Sequence, residues 1–228
     1  MENKGPFLSA LLFFLGILSA QAQIGKDSLS VEVSSYCSYD SGTGGDSTCK
    51  DVLRLRYEPY KRDDLLADVK KVLLTLGIAQ NPQFGLINSQ GVKALYCKQK
   101  SPLILINKNI ADTYGKWELW GIAFHEVGHY ANDHENLCSN PELELDADFF
   151  SGSCLAILGA TKKETVECYL KITETELGSH PKRDLRIARA LQGYDNILSS
   201  MKLKSFTSVN PVITWKKHYS HKRTPLHS

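Results

Sequence analysis

The chain has 228 residues, 42% hydrophobic and 23% charged, with a formal net charge of +2. That length suits one well-buried domain rather than two. The absence of an internal repeat or a long low-complexity stretch excludes a repeat array. The charge is uneven: six cations and no acid follow residue 200, so with Glu2 and Lys4 cancelling, residues 23–200 carry −4.

The first residues read as a secretory signal. Lys4 gives a basic start, "PFLSALLFFLGILS" is an apolar run of about 13 residues, and small residues end at Ala22. A bilayer span needs about 20 residues, and no later segment is apolar enough to supply them. The expected protein is therefore exported, periplasmic or secreted, with no stable membrane insertion once residues 1–22 are removed. Residues 23–60 form a segment whose alternating stretches "SLSVEV" and "VLRLRY" read as short strands. An even set of cysteines (Cys37, Cys49, Cys97, Cys138, Cys154 and Cys168) in an exported chain suggests disulfides. Cys37 with Cys49, closing a Gly/Ser/Asp loop, is the first pairing to expect.

Residues 61–200 carry the expected domain. Leu65, Leu66, Val69, Val72, Leu73 and Leu76 recur at helical spacing, and Gly77 stops the helix. "FGLI", "VKALYC" and "LILIN" follow as strands separated by turns. A helix spans about Lys116 to Asn132. The next has Asn140 as cap and Pro141 at its first position, ending at Gly159. Thr161 and Glu164 make a capping box for another, and a last helix runs from about Pro181 to Leu198. Residues 201–228 read as a basic tail. A small antiparallel sheet followed by helices is an α+β layout.

Within the Lys116 helix the chain reads "HEVGH". Positions i and i+4 share a helix face, so His125 and His129 can aim two imidazoles at one ion while Glu126, one step round, reaches a water on it. Neutral imidazoles hold zinc without cancelling its charge, the metal acidifies water, and the glutamate moves its proton. Gly128 is a poor helix former, which suggests a close neighbour at its backbone. A third ligand decides whether the pattern means a metal. The metzincin pattern fails, because Asn132 and Glu135 stand where it needs glycine and histidine, and His134 is one position short. "NPELELDADFFSGSCLA" offers Glu142, Glu144, Asp146 and Asp148; Glu144 and Asp148 share a face, so one can ligate while the other accepts from an imidazole. His218 and His221 in the tail are remote.

"HEVGHYANDH" followed by "ELDAD", and then by "SHPKRDLRIARAL", resembles the gluzincin family of HtpX-like heat-shock peptidases and CAAX prenyl endopeptidases. The resemblance runs from about Arg62 to Leu198. It implies a zincin-like fold, with the small antiparallel sheet packed on a helical bundle that carries the HExxH helix. It also implies a single zinc per chain on His125, His129 and Glu144, with Glu126 as catalytic acid and base and His180 donating to the oxyanion. Asp148 and Arg186 are expected to back the ligands as a pair. Many members carry membrane helices; this chain, with none after its signal, resembles the soluble exported branch.

The expected activity is a zinc metalloendopeptidase acting on proteins or peptides, not on nucleic acid, with the substrate added as a strand along "LILIN". The rival expectation is a non-catalytic zinc-binding or chaperone-like module on the same scaffold. The intact Glu126 argues against it.

Overall fold

Five strands and six α-helices follow one another in a computed structural model of the chain, which describes residues 38–40, 57–89, 92–98, 101–134, 140–171 and 181–205. The expected signal segment, Cys37, residues 41–56 with Cys49, Cys138, His180 and the tail beyond 205 lie outside the described residues, while residues 38–40 of the expected Cys37–Cys49 loop form a strand. The strands are β1 (Ser38–Asp40), β2 (Glu58–Pro59), β3 (Gln83–Ile87), β4 (Val92–Cys97) and β5 (Leu103–Asn107). The helices are α1 (Asp63–Thr75), α2 (Lys108–Thr113), α3 (Lys116–Ala131), α4 (Pro141–Ile157), α5 (Lys162–Val166) and α6 (Arg183–Ser205), with a 3-10 turn at Glu167–Lys171 before α6. No described helix is long and apolar enough to cross a membrane.

Local chemistry sets most boundaries. Gly77, at φ 74°, takes the left-handed conformation after α1 that a side chain would resist. The Asn140 side chain accepts from Glu142 N at 3.1 Å and Pro141 opens α4. Thr161 and Glu164 cap each other's backbone at the start of α5. The last helix runs past Leu198 to Ser205. The charge shift at residue 201 marks no structural break, because no glycine or proline interrupts the chain between Gly193 and Pro211.

The sheet order is β1-β4-β5-β3-β2, and it is mixed rather than antiparallel. β5 pairs antiparallel with β4 and parallel with β3, in register from Gln83↔Leu103 to Ile87↔Asn107. All five residues of β5 are buried. Its uninterrupted Leu-Ile-Leu-Ile run belongs at the centre of a sheet, where both faces and both edges are covered, and each such side chain contributes about 1.5–3 kcal/mol on burial. The expected substrate edge along "LILIN" is therefore absent, since both sides of that strand are already paired.

α3 packs on β4 and β5 and against α4, which in turn packs along α6. From Leu119 to His129 every residue of α3 is buried, as is almost all of α4. Neither is the one-sided helix that an apolar stripe suggests; both run through the core. Trp120 is fully buried and donates from Nε1 to Asp68 at 2.8 Å, whereas Tyr130 is half-buried. Cys154 and Cys168 are buried in this core, where cysteine packs as a small hydrophobe.

Glycines permit the closest crossings. A Cβ on Gly152 of α4 would stand 1.9 Å from the Ala190 carbonyl oxygen of α6, and one on Gly193 would stand 2.0 Å from that of Phe149. Gly152→Ala is thus expected to force the helices apart and to lower stability by about 3 kcal/mol or more, read as the shift in a urea-unfolding midpoint.

Candidate metal centre

The site begins at the crossing of α3 and α4. A Cβ on Gly128 would lie 2.9 Å from Ala147 Cα and 3.0 Å from its carbonyl oxygen, so the two backbones touch there. Two turns further back along α3, the Ser151 hydroxyl donates to the Gly121 carbonyl at 2.9 Å and fixes the crossing a second time. Ala147 is flanked on α4 by Glu144, one turn before, and Asp148, one residue after. Contact at Gly128 therefore carries both carboxylates to His125 and His129.

Three ligand atoms converge. His125 Nε2 lies 3.1 Å from His129 Nε2 and 3.3 Å from Glu144 Oε2, and His129 Nε2 lies 3.5 Å from Glu144 Oε1. All three side chains are buried, and together they form a group able to hold a metal ion. Four ligands placed tetrahedrally at about 2.0–2.1 Å stand about 3.3 Å from one another. The observed spacings bracket that value. Two imidazoles and a carboxylate drawn this close, in a core that penalises polar groups, fit an ion between them.

The arrangement behind His125 is dense. Its Nδ1 meets Asp148 Oδ1 at 2.8 Å, which leaves Nε2 facing Glu144 and His129. Asp148 Oδ1 also accepts from the Tyr169 hydroxyl at 3.0 Å and from Arg186 Nη2 at 2.8 Å, while Oδ2 accepts from Arg186 Nε at 2.8 Å. Asp148 and Arg186 are both buried, so the two-pronged pair balances charge away from water. Burial pushes the Asp148 carboxyl up, but Arg186 and then His125 hold it below the usual carboxylate range. Burial likewise disfavours charge on His125, yet Asp148 outweighs it and lifts the ring to about 9. His129, buried beside two other imidazoles, is held well below the usual histidine value in spite of Glu144.

Glu126 is fully buried on α3 between the two histidines. "HEVGH" is therefore core rather than exposed helix surface. Of the expected site residues, His125, His129, Glu144, Asp148 and Arg186 come together, with Glu126 beside them; His180 falls outside the described residues. Glu142 is exposed, and Asp146 instead pairs with Arg189 at 3.0 Å. Two participants escaped sequence reasoning. Tyr169 sits in a 3-10 turn, and nothing in "ECYLK" signals its bond to Asp148. His134, set aside as a metzincin ligand and otherwise noted only as the closing histidine of the "HEVGHYANDH" resemblance, has its Nδ1 3.0 Å from His129 Nδ1, a contact that neither reading predicts.

No protein-family model, curated protein or solved structure matches the chain.

Glu144→Ala is expected to weaken metal binding more than about a hundredfold, beyond the range typical of groups behind a ligand, while Glu142→Ala leaves it unchanged in chelator competition. Arg186→Met strands a buried Asp148 charge. It is expected to cost about 3–5 kcal/mol in denaturant unfolding of the metal-free protein.

Proposed function

We propose that the protein is a zinc-dependent endopeptidase of the gluzincin kind, exported and acting on proteins or peptides outside the cytoplasm. The observation that carries the proposal is the convergence of His125, His129 and Glu144 at tetrahedral spacing, with a fully buried Glu126 next to them on the same helix. Two histidines and one carboxylate are a ligand set that suits zinc with one position left open. The motif resemblance runs in the same direction: "HEVGH", "ELDAD" and "SHP" with its following arginine occur in the family's order.

A zinc ion held there supplies an acidified water and polarises the carbonyl to be attacked. His125 and His129 each offer Nε2, and Asp148 holds the His125 ring in the orientation that makes this possible. The Glu126 carboxylate takes the proton from the attacking water and gives it to the departing amine nitrogen, so the side chain ends as it began. Core packing around α3 keeps bulk water from Glu126 and strengthens each charge interaction. His180 keeps its proposed role as donor to the oxyanion. A strand-like substrate cannot pair with β5, so recognition along the sheet would use an outer strand.

The test separates metal from chemistry. With zinc content measured alongside peptide-library cleavage, Glu126→Gln is expected to retain about one zinc per chain and to lose roughly a thousandfold or more in turnover. A metal-loaded Glu126→Gln protein that cleaves as fast as wild type removes the general-base role. A wild type that binds zinc but cleaves nothing favours the non-catalytic module.

A further inference from the structure

α3 does not simply end at Ala131; it turns back. Asp133 N donates to Tyr130 O at 3.1 Å and His134 N donates to His129 O at 3.0 Å. This pair of bonds is the Schellman arrangement, in which the residue after the cap adopts a left-handed conformation. Glycine usually fills that place. Here Asp133 fills it, at φ 58°, the one non-glycine with positive φ among the described residues. Asp tolerates the left-handed region better than most side chains, and its carboxylate meets Lys98 Nζ at 2.8 Å. The turn swings His134 under the last turn of α3, where it is buried with its Nδ1 3.0 Å from His129 Nδ1.

The two nitrogens of an imidazole point to different sides of the ring. His129 Nε2 faces His125 and Glu144, so its Nδ1 faces away from them, and His134 lies on that far side. His134 is therefore no fourth member of the ligand group. For His129 Nε2 to offer a lone pair, the ring proton must sit on Nδ1, and that proton needs an acceptor. Resting on the reading of His125, His129 and Glu144 as a metal centre, we propose that His134 is the positioning residue of His129, its Nδ1 accepting the His129 Nδ1 proton and holding Nε2 towards the ion. His134 then does for His129 what Asp148 does for His125, with a neutral ring instead of a carboxylate. The backbone turn needs no imidazole, since only the amide of His134 enters it. The side chain is thus free to be tested apart from the turn.

The experiment titrates cobalt(II) into the metal-free full chain, following visible absorption, and measures zinc affinity by chelator competition. It compares wild type, His134→Leu and His134→Asn. An asparagine Oδ1 stands close to where histidine Nδ1 stood, whereas leucine fills similar space without an acceptor. His134→Leu is expected to bind about tenfold to a hundredfold more weakly, and His134→Asn to recover most of that loss and the wild-type cobalt spectrum. Wild-type affinity in His134→Leu overturns the proposal. So does an equal loss in both variants, which would mark the ring as a packing element. Should His134→Leu fail to fold, as read by thermal unfolding of the metal-free protein, His134→Ala against His134→Asn makes the same comparison. A wild type that takes up neither ion overturns the metal centre and this proposal with it. A wild type that binds metal without cleaving peptides overturns only the peptidase reading.

Discussion

Two helices buried on all sides meet backbone to backbone where Gly128 faces Ala147, and the site depends on that approach. Had either position carried a larger side chain, the axes would separate by an ångström or more, and Glu144 would no longer reach the imidazoles. The crossing is itself held from behind. Gly152 and Gly193 let α6 press against α4 even more closely than α4 presses against α3, and Ser153 bridges them by donating to the Gly193 carbonyl at 3.1 Å. Small residues thus do in three helices what ligand chemistry alone cannot: they set the distance between groups that the sequence keeps far apart.

Such a core carries an unusual electrostatic load. Glu126, Glu144, Asp146 and Asp148 are all buried, and each carboxylate taken from water is costly unless cations and donors surround it. Asp148 shows how the cost is met, with one oxygen accepting from a ring, a phenol and a guanidinium at once. The two imidazoles of the metal group then differ in kind. His125, beside the Asp148 carboxylate, is held above the usual histidine value, whereas His129, chiefly through its burial, is held well below it. Networks of this type are rigid only when every member is satisfied, so their geometry is set together.

What could be read from the sequence follows from the range of each interaction. Helix caps at Asn140 and Thr161 and the stop at Gly77 are decided within a few residues, and they are legible. The pairing of His125 with His129 is equally local, since four residues return to the same helix face. Glu144 and Asp148 were legible as a pair for the same reason, but which of four acids would ligate needed either the family resemblance or the α3–α4 crossing. Strand partners were not legible: "FGLI" and "LILIN" are separated by β4 in sequence yet lie side by side and parallel. The bond from Tyr169 to Asp148 and the fold-back of His134 left no mark in composition or periodicity. The first depends on packing between distant segments. The second depends on Asp133 adopting a conformation that its residue type does not advertise. The last helix runs beyond the expected end at about Leu198, and no glycine or proline near Ser205 marks where it stops.

The position of Arg186 gives the fold a direction in time. The ligands are complete once α4 has been made, but the guanidinium that anchors Asp148 lies on α6, the last described helix to leave the ribosome. Until α6 docks, Asp148 lacks both that partner and the cover that α6 gives to α4. Domains ordinarily fold as units, N-terminal parts emerging first; here the earlier-made site waits on the later-made helix. Orientation of His125, and with it the assembled candidate metal group, comes only after chain growth has passed the three residues that could hold an ion.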